Sequence, residues 1–162
     1  MEFSDLYSLQ EGLDREIHQK HETNYRKTMS RRILAFIIEL GEFANETRCF
    51  KYWSLKGPSK KECILEEYVD ALHFLLSLGL AIGYERSTSF KVEVTTKDLS
   101  EAILGCYEQA LYFKNNISFS AYRKLFESFL AIALLLDFKE EEIKSAYYQK
   151  NQVNHQRQAE NY

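Results

Sequence analysis

The sequence has few of the residues that interrupt helices or cross-link chains. Pro58 is the only proline among 162 residues, and only six residues are glycine. This scarcity argues against a chain divided into many short elements and favours long helices with short connections. The three cysteines, Cys49, Cys63 and Cys106, are odd in number and lack the spacing of a metal site. They argue against a disulfide framework and predict reduced thiols in the cytoplasm.

The chain also lacks an excess of basic residues, a secretion signal and a long apolar run. Its formal net charge of −3 argues against a surface that coats nucleic acid, although it leaves room for a local basic patch at a phosphate site. The N-terminus is acidic, and the longest strongly apolar stretch, residues 129–136, is too short to span a bilayer. We therefore expect one domain over residues 1–162, located in the cytoplasm, with neither nucleic-acid nor membrane partners.

Apolar residues recur at helical spacing through most of the chain. A capping box formed by Ser59 and Glu62 is expected to start the third helix, after the loop that contains Gly57 and Pro58. Residues 90–95 alternate like a strand, but a single strand would have no partner, so we expect an extended linker. The predicted fold is an all-α helical bundle, with helices over about 5–21, 25–45, 59–83, 99–115, 121–136 and 140–150 and a polar tail over 151–162.

Two carboxylate pairs lie in runs that are apolar enough to be core. Glu39 and Glu42 fall in the second predicted helix and Glu67 and Asp70 in the third, each pair three residues apart on one helix face. Carboxylates are rarely buried without compensation, and neither run contains a Lys or Arg. A short loop predicts that the two helices are antiparallel neighbours, so the pairs can face each other. Because hard oxygen ligands suit Mg²⁺ or Mn²⁺, the pattern predicts a divalent-metal site.

Several assignments within this constellation stay open. Glu66 rivals Glu67, because it is also a helical neighbour of Asp70. His73, one turn beyond Asp70, either touches a substrate or is a core histidine with satisfied hydrogen bonds. One carboxylate could orient or deprotonate a water instead of binding metal directly. In a further interpretation the acidic residues face solvent and the chain is a purely structural bundle.

Two segments resemble a known family. Residues 39–54, E-L-G-E-F-A-N-E-T-R-C-F-K-Y-W-S, and residues 64–74, I-L-E-E-Y-V-D-A-L-H-F, are similar to the dimeric all-α dUTPases. That family belongs to the MazG-like NTP pyrophosphatase superfamily, and this compact chain looks like a phage or Gram-positive member. The resemblance extends from Leu9-Gln10 to Tyr162 and is most specific in the two acidic motifs.

The resemblance implies a helical-bundle homodimer that converts dUTP, and usually dUDP, to dUMP. Glu39, Glu42, Glu67 and Asp70 would hold two or three Mg²⁺ ions, with Mn²⁺ as a substitute, and would be the catalytic residues. The ions would neutralise the triphosphate and position a water for in-line attack on the β-phosphorus. The residues implied to contact the substrate are Gln10, His18, Trp53, Lys56, His73, Phe74, Lys150, Asn151, Asn154, Arg157 and Tyr162.

These substrate residues fall into three groups by implied role. His73 and Phe74 would lie near the nucleoside, with Gln10 and His18 as further base contacts. Trp53 would belong to a mobile region that shapes the uracil pocket, although a loop aromatic can also simply plug the edge of a core. Residues 151–162, with Lys150 before them, resemble the family's substrate-closing tail, in which Lys150 and Arg157, together with Lys51 and Lys56 of the loop, are available to phosphate oxygens. Many relatives carry Gly before the final Tyr, where this chain has Asn161.

Two other functions compete with a dUTPase. A MazG-like pyrophosphatase would keep the metal site and act on dCTP or another nucleotide, but simpler MazG domains are shorter and lack the closing tail. A binding role is also consistent with the resemblance, because phage and prophage members of this family can be bound by repressor proteins. Such a repressor partner could coexist with catalysis.

Overall fold

The computed structural model describes residues 1–84 and 89–160. In this part of the chain six helices and no strands are present, so the predicted all-α class is confirmed. The helices are α1 (Ser4–Lys20), α2 (Tyr25–Thr47), α3 (Lys61–Ile82), α4 (Leu99–Asn115), α5 (Phe119–Leu135) and α6 (Glu140–Ala159). None of the helices in the described ranges is long and apolar enough to cross a membrane.

The helix starts follow local capping chemistry at three places. The side chains of Asn24, Asp98 and Ser118 accept backbone N–H groups in the first turns of α2, α4 and α5, as N-cap residues do. The predicted capping box of α3 is wrong. The N-cap is Lys60, which makes no side-chain hydrogen bond, and the Ser59 N–H instead donates to the Glu46 carbonyl at 3.0 Å.

The two long central helices run antiparallel, as predicted. Arg32 near the start of α2 donates to Ser77 near the end of α3, whereas the rings of Phe43 and Tyr68, at the opposite ends, are 5.7 Å apart. The helix α3 also packs against α1, α5 and α6, which makes it the centre of the bundle. Most of its residues are buried, including Tyr68, Val69, Leu72, Leu75, Leu76 and Leu78.

The apolar C-terminal helices contribute to the core of the single chain. Phe126, Phe129, Leu130 and Ile132 of α5 are completely buried, and the Phe129 ring stacks on Tyr68 at 4.2 Å. Residues 89–97 form no regular element, in agreement with the predicted extended linker, and Phe90 anchors this segment by stacking on Phe126 at 4.2 Å.

The last helix is longer than predicted. It continues to Ala159, past the expected end at Lys150, because its C-terminal half packs on α1. His155 Nδ1 lies 2.5 Å from Glu16, and Lys20 donates to the Gln158 carbonyl. The tail predicted over 151–162 is therefore helical through Ala159. Its last residue, Tyr162, lies outside the described residues.

Candidate metal and nucleotide site

Three of the four predicted metal ligands converge between the central helices. Glu39 of α2 and Glu67 and Asp70 of α3 each offer a carboxylate oxygen, and these atoms all lie within 4.8 Å of one another. The antiparallel arrangement brings them together, since Glu39 faces the first half of α3. All three side chains are partly buried.

The fourth predicted ligand and its rival lie at the edge of this cluster. Glu42 is exposed and is not one of the three convergent residues, but its charge helps to raise the pKa of both Glu39 and Glu67. Glu66 is exposed as well, and it accepts a hydrogen bond from Lys150 at 3.1 Å. Of the two glutamates that the sequence left open, Glu67 therefore belongs to the cluster and Glu66 does not.

The pKa values of all three carboxylates in the cluster are raised, because burial and nearby carboxylates disfavour their ionised forms. Burial, followed by the charges of Asp70, Glu42 and Glu67, raises the pKa of Glu39 to about 7. Burial and nearby carboxylates also raise the pKa of Glu67, and burial raises that of Asp70 despite the opposing charge of Lys150. A divalent cation would stabilise the ionised carboxylates, so the oxygen donors present fit Mg²⁺ or Mn²⁺.

A cation from α6 partly compensates the cluster. Lys150 Nζ lies 2.7 Å from Asp70 Oδ2, and both side chains are mostly buried. The charge of Arg157, two turns further along α6, also acts to lower the pKa of Asp70. Sequence reasoning found no cation within the acidic runs, and the structure supplies it from a third helix.

A cavity of about 430 Å³ adjoins the carboxylate cluster. Helices α1, α2, α3 and α6 all contribute to its walls, and Glu39 and Asp70 belong both to the cluster and to the cavity lining. Of the residues expected to contact substrate, five line it: Gln10, His73, Phe74, Asn154 and Arg157. The cavity therefore places polar groups of α1, α3 and α6 beside the acidic residues.

His73 is held firmly on one side of this cavity. It is only 5% exposed, its ring stacks on Tyr147 with 4.0 Å between centroids, and its Nδ1 lies 2.8 Å from Gln10 Oε1. Burial, together with the charge of Lys150, lowers its pKa to about 3, so the imidazole is neutral. Its second nitrogen, Nε2, is buried and finds no partner among the described residues. The interpretation of His73 as a fully satisfied core histidine is therefore wrong.

Five other predicted substrate residues do not line the cavity. Trp53 and Lys56 are exposed in the loop between α2 and α3, where Trp53 is 65% accessible. His18 accepts from Arg32 Nη2 at 2.6 Å, and Asn151 is buried on α6. Lys150 contacts Asp70 but does not line the cavity.

A buried polar network in the cavity wall, centred on Asp14 and Arg32, was missed by sequence reasoning. Asp14 is 1% exposed and forms an ion pair with Arg32 at 3.2 Å, while its second oxygen accepts from Ser77 at 2.5 Å. A signal was present, since Asp14 lies between Leu13 and Ile17 and Arg32 directly precedes the apolar run of α2. Each residue alone resembles an exposed charge, and their pairing across helices has no local pattern.

A comparison with known protein families shows which family the chain belongs to. A family model described as dUTPase matches residues 2–162. The chain belongs to the dUTPase family. This membership confirms the resemblance noted in the two acidic segments, and the six helices agree with the all-α members of the family. No match was found among curated proteins.

Membership of the dUTPase family makes the chain a nucleotide hydrolase of the dUTP diphosphatase type. Enzymes of the dUTPase family generally use divalent metals, and the cluster of Glu39, Glu67 and Asp70 is a chemically suitable place for them.

Proposed function

We propose that this chain hydrolyses dUTP, and also dUDP, to dUMP with Mg²⁺ held by Glu39, Glu42, Glu67 and Asp70. One observation carries the proposal: Glu39 and Asp70 belong to the acidic cluster and also line the adjoining cavity. A nucleotide whose base occupies the cavity would then extend its phosphates towards the metal ligands. Glu42 is included because its charge acts on both Glu39 and Glu67, so it would help to hold a second or third ion.

The proposed chemistry divides between the ions and the protein. Bound Mg²⁺, or Mn²⁺ in its place, would neutralise phosphate charge and make water a better nucleophile near neutral pH. Asn154 and Arg157 would hold the substrate from α6. The ammonium group of Lys150 would move from its contact with Asp70 to a contact with a phosphate oxygen. Attack at the β-phosphorus accounts for the acceptance of both dUTP and dUDP, since each would release dUMP.

We further propose that residues 151–162 close over the substrate and that Trp53 and Lys56 reach it from the loop that carries them. Asn154 and Arg157 already line the cavity as part of α6, so closure would concern the end of the chain beyond them. The exposure of Trp53 leaves its ring available for such a contact.

The test is hydrolysis of dUTP, dUDP, dCTP and dTTP with Mg²⁺ in water labelled with oxygen-18. We expect turnover of dUTP and dUDP, removal of activity by EDTA, and label in the released pyrophosphate or phosphate rather than in dUMP. Glu39→Gln should lower kcat by at least about 10²-fold, whereas Glu108→Gln on the exposed face of α4 should retain activity. A preference for dCTP would keep the metal site and change the base, and no turnover of any nucleotide would overturn the proposal.

A further inference from the structure

The directions of the hydrogen bonds in the cavity wall follow from its buried ion pair. Asp14 pairs with Arg32, and a carboxylate in such a pair can only accept hydrogen bonds. Its oxygens accept from Arg32 Nη1, from Ser77 Oγ and from Gln10 Nε2, the last at 3.0 Å. The end of the Gln10 amide that faces Asp14 must therefore be the NH₂ group.

This orientation of Gln10 determines which nitrogen of His73 carries hydrogen. With its NH₂ group on Asp14, Gln10 presents Oε1 to His73 Nδ1 at 2.8 Å and to the Tyr147 hydroxyl at 2.7 Å. An amide oxygen cannot donate, so His73 Nδ1 must carry the hydrogen. A neutral imidazole has only one N–H, and His73 Nε2 is therefore a bare acceptor.

Two hydrogen-bonding positions are left over. The bare Nε2 of His73 is buried without a partner among the described residues, which is uncommon for a polar atom in a folded protein. Within the same described part of the chain, Gln10 Nε2 donates to Asp14 alone and so retains a second hydrogen. His73 and Gln10 both line the cavity. The pair therefore offers one acceptor and one donor.

The family resemblance already implies Gln10 and His73 as contacts of the base. We propose that Asp14 is the residue that orients them: it sets the hydrogen-bond polarity of the pair, so that the pair matches the imide edge of uracil and mismatches cytosine. The inference deepens the proposed function and rests on it. In uracil the ring N3–H donates and the neighbouring carbonyl accepts, which complements a bare Nε2 and a free amide hydrogen. In cytosine held in the same position N3 accepts and the exocyclic amine donates, so both contacts would be mismatched. Thymine shares the imide edge, and its methyl group would have to be excluded elsewhere.

The first test needs no variant. A nitrogen-15 spectrum of the histidine side chains in the full chain should show His73 with hydrogen on Nδ1 and none on Nε2. Addition of dUMP with Mg²⁺ should shift the Nε2 resonance, and dCMP at the same concentration should leave it unchanged. Hydrogen on Nε2 in the free protein, or an equal shift with dCMP, would overturn the proposal.

The second test changes the polarity. In Asp14→Asn the neutral amide can donate to Gln10, whose own amide can then turn, so both tautomers of His73 become accessible. A site built to hydrogen-bond one substrate rejects a mismatched one by roughly 10⁴-fold in kcat/KM. We expect Asp14→Asn to lower the dUTP-to-dCTP ratio by at least about tenfold and to show both tautomers in the spectrum.

Matched variants separate this effect from a loss of folding. Ser77→Ala removes a hydrogen bond from the same carboxylate but keeps its charge, so it should preserve the ratio of dUTP to dCTP turnover. If Asp14→Asn fails to fold, His73→Gln provides the polarity change, because its terminal amide can turn to offer either group. An unchanged ratio in the folded Asp14→Asn protein, or in His73→Gln, would overturn the proposal.

The outcomes also distinguish this inference from the proposed function. A chain that hydrolyses dUTP but carries hydrogen on His73 Nε2 would retain the proposed function and lose only the inference. A chain that neither binds nor hydrolyses any nucleotide would lose both.

Discussion

The protonation state of Glu39 is sensitive to what occupies the site, because its pKa of about 7 lies well above that of an ordinary glutamate. Its shift arises from burial and from three nearby carboxylates, and a bound cation would reverse the effect of those charges. The protonation of Glu39 is therefore linked both to folding and to metal binding.

This linkage predicts how stability depends on pH. Because the folded pKa is raised, Glu39 takes up a proton on folding between about pH 4.5 and 7, and its charged form destabilises the fold above that range. In EDTA, the melting temperature should fall as the pH rises from about 5 to 8, and Mg²⁺ should restore more stability at pH 8 than at pH 5. Glu39→Gln should flatten this dependence in thermal melts. An identical pH dependence in Glu39→Gln would contradict the prediction.

Lys150 should matter most when metal is absent. Its ammonium is the close cation on Asp70, so Lys150→Met leaves a partly buried carboxylate without its partner. We expect a loss of about 2 kcal/mol in EDTA, measured by urea unfolding, and a smaller loss in saturating Mg²⁺. Lys144→Met, on the same helix but paired with Asp5 and Glu140, should lose the same amount under both conditions.

At the residue scale, the sequence predicts the acidic ligands better than it predicts their surroundings. Glu39, Glu67 and Asp70 are visible because carboxylates in apolar runs require compensation. Asp14 and Arg32 compensate each other across two helices, and no spacing along the chain reveals such a pair. The cation Lys150 was named by family resemblance, but its contact with Asp70 depends on how α6 packs.

At the scale of the elements, Gly79 allows α3 to approach its neighbours closely. A Cβ atom at this position would lie 2.4 Å from the Tyr122 hydroxyl oxygen and 3.0 Å from a ring carbon of Tyr7. These two tyrosines hydrogen-bond to each other at 2.6 Å, and the Tyr122 hydroxyl also bonds to the Leu75 carbonyl, so neither ring can move without loss.

We therefore expect opposite effects from two glycine substitutions within helices. Gly79→Ala should destabilise the fold by about 1–3 kcal/mol through overpacking. Gly105→Ala in α4 meets no atom within 4 Å and should stabilise it by about 0.5–1 kcal/mol, because alanine restricts the unfolded chain more. Urea unfolding of both variants measures the two changes. A Gly79→Ala protein with an unchanged free energy of unfolding would show that the tyrosine pair can be displaced at little cost.

Helix prediction succeeded where apolar periodicity was strong and failed where it was replaced by polar packing. The bounds of α4 agree with the prediction, whereas α6 was predicted to end at Lys150. The buried stripe of α6 consists of Ile143, Tyr147 and Asn151, spaced by four residues. Its last member is polar, so the apolar pattern ends at Tyr147, about three turns before the helix ends at Ala159.

At the scale of the whole molecule, exposed apolar residues on α2 and α4 fit the homodimer that the family resemblance implies, and we propose that they form its interface. Leu34 and Ile38 of α2 are 56% and 50% exposed, and Leu104 and Leu111 of α4 are 54% and 51% exposed. The two helices pack against each other, so these side chains belong to neighbouring surfaces. A two-fold dimer that covers them would bury this apolar area.

The dimer proposal predicts a change in mass for one variant. Ile38→Glu places a charge within this surface and should convert a dimer to monomers, as measured by light scattering after gel filtration. Ile117→Glu, at an equally exposed apolar residue between α4 and α5, should leave the dimer intact. A monomeric native chain, or a dimeric Ile38→Glu protein, would contradict the assignment of this surface.

The central position of α3 also determines how protection against hydrogen exchange should be distributed. Amides in the core of a bundle exchange only when the whole domain opens, whereas elements with few apolar contacts open at lower free energy. Glu67, Asp70 and His73 lie on the buried α3, and Asn154 and Arg157 lie on the polar second half of α6. The acidic half of the site should therefore remain assembled in partly opened molecules, while the half that we propose to hold the substrate detaches and returns many times before the chain unfolds.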